Sequence, residues 1–256
     1  MNFELSEEQK MIQQSVERFV QENYDLPKRV ELSSQDPGYS KDYWNSMAEL
    51  GWLGLPFTEE VGGFGGNQID TLVIMEQFGK GLVLEPFLAN IVLGGGAIQM
   101  GGSEELKKEM LSSLIEGSKQ ITLAYAEQQS RFDLEDVATS ARKEGEKYII
   151  NGQKSMVLNA ESADHLVVVT RTNGGQVDEE GITLFLVDSD SKGLGKNNFP
   201  TVDGLRASEI TFDNVEVNSE RMIGDPDKGF SILRTITNNA ILALCAEAVG
   251  AMEVLY

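Results

Sequence analysis

Apolar and polar residues alternate along this chain with two different periods, and the period changes twice. As far as residue 120 the apolar positions lie three or four apart, the spacing of one helix face. Ser6-Glu7-Glu8-Gln9 reads as a capping box, with Ile12, Val16, Phe19 and Val20 behind it at helical spacing. Ser40 predicts the cap of a second helix carrying Tyr43, Trp44, Met47 and Leu50, stopped at Gly51. Asp70 opens a third through Val73, Ile74 and Phe78, closing near Gly79. Ser103 opens a fourth, with Leu106, Met110, Leu111 and Leu114 on one side and Gly117 after its end.

At residue 121 the period shortens to that of strands. The segments ITLAYAE (121–127), VATSARK (137–143), KYII (147–150), SMVLNA (155–160), HLVVVTR (165–171), ITLFLVD (182–188) and SEITFDNVEV (208–217) are β-rich and separated by turn residues. Asn151-Gly152, between KYII and SMVLNA, predicts a tight two-residue hairpin. After Gly229 the helical period returns and runs to Tyr256 with no stop signal, and from Ala240 to Met252 only Glu247 is charged. A helix apolar nearly all round belongs inside a bundle. The order predicts an α+β multidomain fold. An all-α domain occupies residues 1–120 and an antiparallel β-sandwich or barrel 121–226. Residues 227–256 form the first helix of a C-terminal bundle whose remainder is absent.

Composition narrows the function classes. A net charge of −20 disfavours nucleic acid and anionic membranes as partners. No run of 18 or more apolar residues suggests a membrane span. The acidic, amphipathic start MNFELSEEQKMIQQ does not read as a signal peptide. The single cysteine, Cys245, allows no internal disulfide and fits a reducing, cytoplasmic setting. It is expected to be a small buried hydrophobe.

Ordinary motifs yield little. VGGFGG (61–66) neither follows a strand nor leads into Lys-Ser/Thr, so it fails the dinucleotide and P-loop contexts and reads as a mobile loop joining helices. His165 is the only histidine and opens a predicted strand. No Cys/His cluster accompanies it for zinc, and no nucleophile elbow for serine hydrolysis.

Four segments carry a resemblance. MAELGWLGLPFTEEVGGFGG (47–66), AYAEQQSRFD (124–133), KYIINGQKSMVLNA (147–160) and LRASEITFDNVEVNSERMIGDPDKGF (205–230) occur in the order of, and are similar to, the signature segments of the acyl-CoA dehydrogenase family. Within that family the chain resembles a small-subunit branch whose members work with a homologous large subunit. The resemblance implies FAD, an acyl-CoA substrate oxidised to the trans-2-enoyl-CoA, and an electron-transfer flavoprotein or similar acceptor. It also implies a homo- or hetero-oligomer.

The resemblance places flavin contacts at Leu123, Tyr125, Ala126, Phe132, Met156 and Leu158. Glu127 and Asp133 match the family's Glu and Asp. Ala126 and Leu158 stand where threonine hydroxyls usually reach the flavin, Phe132 where a serine usually contacts the cofactor's phosphate region, and Met156 where a tryptophan packs on the ring. Ile241 matches a position where many members carry arginine. In most members the catalytic base lies in the C-terminal domain; in a minority it lies at the position of Ala240, which cannot serve. Glu247, two turns on, is the one candidate base in this chain. The lost flavin contacts raise an alternative: a non-catalytic structural subunit supporting a homologous catalytic partner. Oxidases and monooxygenases of the same fold form a third option.

Overall fold

The computed structural model describes residues 4–256, so the first three residues of the acidic opening segment lie outside it. Helix α1 (Glu7–Asn23) starts under Ser6, whose Oγ accepts from Gln9 N at 3.2 Å while Gln9 Oε1 accepts from Ser6 N at 3.0 Å. Helix α2 (Leu26–Ser33) follows an Asp25 cap that the apolar pattern does not announce, and α3 (Lys41–Glu49) follows Ser40. Helix α4 (Gln68–Gly81) begins before Asp70. Asn67 is its cap, and Asp70 closes a capping box by accepting from Asn67 N at 2.6 Å. A second unannounced segment, Leu88–Gly95, makes π-helical turns and runs into α5 (Gly96–Gly101). Helix α6 (Glu104–Ile115) starts under Ser103.

The loop 61–66 joins helices as expected but is not a loose connector. Gly65 N donates to Phe57 O at 2.7 Å and Gly66 N to Leu55 O at 2.8 Å, pinning it to the turn before it.

Eight strands follow: β1 (Ile121–Ala124), β2 (Ser140–Glu144), β3 (Lys147–Leu158), β4 (His165–Arg171), β5 (Ile182–Asp188), β6 (Leu194–Pro200), β7 (Arg206–Asn218) and β8 (Met222–Ile223). They form one sheet in the order β6-β7-β3-β2-β4-β5-β8, with β1 paired to β4. The sheet is antiparallel except where β1 runs parallel to β4 and β2 meets β4 at Ser140 and Arg171. Strands β4 and β5 explain how it packs. Val167, Val169, Leu184 and Leu186 face the helices and share one core with them. Leu166, Val168, Phe185 and Val187 face the other way, into a second core with Tyr148, Ile150 and Phe212. Both faces are buried, so these strands read as continuous apolar runs. The sheet curls on itself around the second core in a barrel-like form.

The expected Asn151-Gly152 hairpin is not there. KYIINGQKSMVL is one continuous strand, β3, and the chain reverses instead at Gly145-Glu146 between β2 and β3. Asn151-Gly152 is a bulge against β7: the register shifts between Ile150 and Gly152, and Asn151 Oδ1 accepts from Asn214 N at 2.9 Å. Glycine is needed for a close approach, because a Cβ at 152 would lie 2.7 Å from Thr139 Cα.

Helix α7 (Phe230–Leu255) packs along α4 through an exchange of glycines. A Cβ at Gly79 would lie 1.9 Å from Glu247 O, and one at Gly250 would lie 1.8 Å from Glu76 O. α7 meets the length and mean composition of a membrane span, although polar residues such as Arg234, Asn238, Asn239 and Glu247 interrupt it and it has no run of 18 apolar residues. One side of it, including Phe230, Leu233, Ile236 and Ala243, belongs to the helical core. Cys245 is on the other side and is exposed, not buried, because its helical position faces away from α4.

Candidate functional site

Two pieces of chain meet beside the helices: the exit of β1 and the end of β3. Ser155 N donates to Ala126 O at 2.8 Å, Lys154 Nζ to Tyr125 O at 3.1 Å, and Thr122 Oγ1 to Leu158 O at 2.7 Å. Glu127 ties them together. Its Oε1 accepts from Lys154 Nζ at 2.6 Å and Thr139 N at 3.0 Å, and its Oε2 from Ala138 N at 2.9 Å and Gln129 Nε2 at 2.7 Å. Burial works to raise this carboxyl, but the Lys154 ammonium and the hydrogen bonds outweigh it and hold it below the ordinary range. Burial pulls the Lys154 ammonium down, against the opposing pull of Glu127.

Beyond Lys154 the strand bulges a second time, with the register shifting between Lys154 and Val157. Within that bulge Met156 adopts a left-handed backbone, φ 52°, which is uncommon for a residue with a Cβ. Bulges re-aim side chains. Here Lys154 and Val157 point inward while Met156 is 50 % exposed.

Leu158 turns into a cavity of about 130 Å³ where the helices, the sheet and α7 converge. Its walls are mostly apolar, with Met75, Phe78, Leu84 and Leu244 among them. Four charged residues also face it: Glu85, Glu247, Asp203 and Arg206. Glu85 is buried; Tyr24 Oη donates to its Oε2 in a short hydrogen bond, and Ser40 N donates to Oε1 at 3.1 Å. Burial pushes the Glu85 carboxyl up to about 7, and the hydrogen bonds from Tyr24 and Ser40 only partly oppose this. The Glu247 carboxyl is also raised, first by burial and then by Asp203, with Arg29 opposing.

The structure thus brings Tyr125, Ala126, Met156 and Leu158 to one junction. Leu123 lies in the helical core just before it. Phe132 is 96 % exposed on the loop that follows Glu127. Glu247 shares the cavity with Leu158, whereas Met156 is outside its lining. His165 is structural: its Nδ1 lies 2.9 Å from Asp188 Oδ1, which also accepts from Arg221 Nη2 at 2.8 Å. Among the described residues no group of three or more His, Cys, Asp or Glu could hold a metal ion. Sequence reasoning missed Glu85. Its only trace is a lone carboxylate in the run LVLEPFLANIVL, whose one other polar side chain is Asn90.

A helical part, a curled sheet and a long closing helix around such a junction define a class of fold, and comparison with known proteins identifies it. Residues 6–118 match the model for "Acyl-CoA dehydrogenase, N-terminal domain" and 122–215 that for "Acyl-CoA dehydrogenase, middle domain". The chain belongs to the acyl-CoA dehydrogenase family. It is 30% identical over 255 residues to the probable acyl-CoA dehydrogenase YngJ of Bacillus subtilis, covering 98% of this chain and 67% of the relative. It is 27% identical to the caffeyl-CoA reductase–Etf complex subunit CarC of Acetobacterium woodii, covering 97% and 66%. Among solved structures, the FAD complex of PigA superposes with a TM-score of 0.90 at 26% identity, covering 100% of this chain and 68% of that one. The chain therefore spans about two thirds of the length of these relatives.

Proposed function

We propose that this protein is a subunit of an FAD-dependent acyl-CoA dehydrogenase, and that the cavity beside Leu158 holds the acyl chain of the thioester being oxidised to the trans-2-enoyl-CoA. The observation that carries this reading is the double position of Leu158. It is a candidate flavin contact and also a wall of the cavity, so a ring and an acyl chain would meet at that side chain.

The residues present fit an isoalloxazine on its apolar faces. Met156 is held outward in a left-handed backbone conformation, and its thioether suits packing on a ring. The resemblance implies that threonine hydroxyls are replaced at Ala126 and Leu158, so the polar edge of the ring would rest on backbone groups. FAD, when bound, supplies the acceptor for the hydride lost from Cβ of the thioester. The chain's own part is to orient. Glu127 and Lys154 fix the two segments that carry Ala126 and Met156, and the cavity walls exclude water from the acyl chain. Ala240 offers no titratable group, and Glu247 stands seven residues, or about 10 Å of helix rise, further along. We therefore assign the proton abstraction to residues outside these 256, in the same polypeptide or a homologous partner. The relative CarC is by its name part of a complex with Etf, which supports an electron-transfer flavoprotein as the acceptor.

The test is a visible absorption spectrum of the protein alone and of the protein co-expressed with a homologous large subunit, followed by acyl-CoA-dependent dye reduction. Flavin bands and dye reduction in the complex are expected, with no turnover by the 256 residues alone. Absence of both from the complex overturns the reading. The three lost hydroxyls favour one second reading, a supporting subunit without a flavin of its own. One FAD per pair of unlike subunits would establish it, and one FAD on each subunit would eliminate it.

A further inference from the structure

Strands β6 and β7 are joined by a tight hairpin whose tip is held from outside the sheet. Pro200 pairs with Arg206, Thr201 N donates to Leu205 O at 2.9 Å and Gly204 N to Thr201 O at 3.0 Å, which leaves Val202, Asp203 and Gly204 as the tip. Asp203 and Leu205 line the cavity, while Val202 is fully exposed. One side chain bridges this tip to the helices. Arg29, on α2, donates through Nη2 to Asp203 O at 2.5 Å and through Nε to Leu82 O at 2.8 Å. Leu82 is the left-handed residue that ends α4, and Val83, Leu84 and Glu85, which follow it, form another wall of the cavity. Arg29 therefore fastens two walls to each other. Glu247, on α7, lines the cavity and feels both the Asp203 carboxylate and the Arg29 guanidinium, so a third wall borders the same edge.

Among the described residues, Arg29 provides the one hydrogen bond between the hairpin residues 201–205 and the helices. The base of the hairpin is fixed separately, by Arg206, whose Nη2 donates to Ser33 O at 3.3 Å and to Gln35 O at 3.2 Å. Loss of Arg29 thus frees the tip and spares the base. Leu158, where ring and acyl chain would meet, pairs with Ala207 on β7, four residues from Asp203. Four residues of chain span at most about 14 Å, which bounds the stretch of β7 between that pair and the tip. A tail that leaves Leu158 along the apolar walls toward the hairpin meets a closed end. Each methylene that fits inside should strengthen binding roughly fourfold, and one that has to displace the tip should weaken it. We propose that Arg29 sets the longest acyl chain the cavity accepts, by holding the tip of the β6–β7 hairpin across its end. The proposal deepens the reading of the cavity as an acyl site and rests on it. Arg29 is a positioning residue, acting through Asp203 and Leu205, which face the cavity.

The experiment titrates straight-chain acyl-CoAs, from butanoyl to tetradecanoyl in steps of two carbons, into the full chain by calorimetry. The wild type is expected to gain affinity with each step up to a ceiling and to lose it beyond. Arg29→Ala should move the ceiling up by at least one step and leave the affinity for the shortest chain that binds within about twofold. Arg29→Met keeps the apolar stem and loses both donors; it should behave in the same way, and it decides if the alanine variant does not fold. The ratio of long-chain to short-chain affinity is the readout, because general loosening of the fold would weaken every length alike. Uniform weakening, an unmoved ceiling, or a wild type with no ceiling in this range overturns the proposal and leaves the acyl-site reading standing. If no acyl-CoA binds the wild type, both fall.

Discussion

At the scale of single residues, two buried carboxylates make opposite contributions. Glu127 is ionised, fully hydrogen-bonded and paired with a buried lysine. Removing one partner of such a pair leaves an uncompensated charge, at about 3–5 kcal/mol. Glu127→Ala should lose that much in urea unfolding, far more than the loss of an exposed, solvent-screened pair such as Lys147–Glu216. Glu85 instead has its folded pKa raised to about 7 from 4.5. Between those values the native state holds a proton that the unfolded state has released, so stability falls as pH rises through that window. The full effect is about 3 kcal/mol, at about 1.4 kcal/mol per unit. Melting temperatures at pH 5 and pH 8 should therefore differ more for the wild type than for Glu85→Gln, which has no such proton. Parallel pH profiles would show that the Glu85 carboxyl is ionised throughout. A lone glutamate in an apolar run gives no hint of this state, because it depends on Tyr24 and Ser40, brought to it from 61 and 45 residues away.

At the scale of elements, capping chemistry made the helices legible. Ser6, Ser40 and Ser103 each accept from the first helical turn as read. Asp70 was legible as a helix-start residue but not as the third position of a capping box, since aspartate serves both. The candidate flavin contacts on the β1 and β3 ends came from the family's motifs; in the structure Glu127 and Lys154 clamp the two segments that carry them together. What pattern could not show was whether Asn-Gly turns the chain or bulges it. The same dipeptide serves either when Asn151 meets a turn residue such as Asn214 across the sheet. The parallel pairing of β1 with β4 was equally hidden, because its partners are 44 residues apart and β1 is only four residues long. The α4–α7 crossing was also unreadable in isolation: Gly79 marked a helix end, and Gly250 was one small residue in an apolar helix. Their meaning is mutual. Gly250→Ala should force the two helices apart and cost about 1–3 kcal/mol, the range for overpacking, although alanine is the better helix former. A gain in stability on thermal melting would show that the crossing tolerates a methyl group.

At the scale of the whole molecule, the helices and the sheet do not have separate interiors. One core runs from Val16 and Trp52 through Phe87 and Ile98 to Leu123, Val167, Leu184 and Leu186, so one whole face of β4 and β5 rests on helices. The cavity beside Leu158 lies along this shared boundary, and its shape depends on both parts staying docked. Loss of the helices would expose the apolar outer row of β4 and β5 at once, a cost no isolated sheet of this composition could meet. Unfolding is therefore expected to be a single cooperative event. The chain offers a clean probe, because both of its tryptophans, Trp44 and Trp52, sit among the helices, while far-ultraviolet circular dichroism reports helices and strands together. The two signals should trace one urea transition with the same midpoint and slope. Residues 121–226 expressed alone should associate or bind a hydrophobic dye. Separate midpoints, or a well-behaved monomeric sheet fragment, would mean that the boundary is weaker than its packing indicates and that the cavity can open without global unfolding.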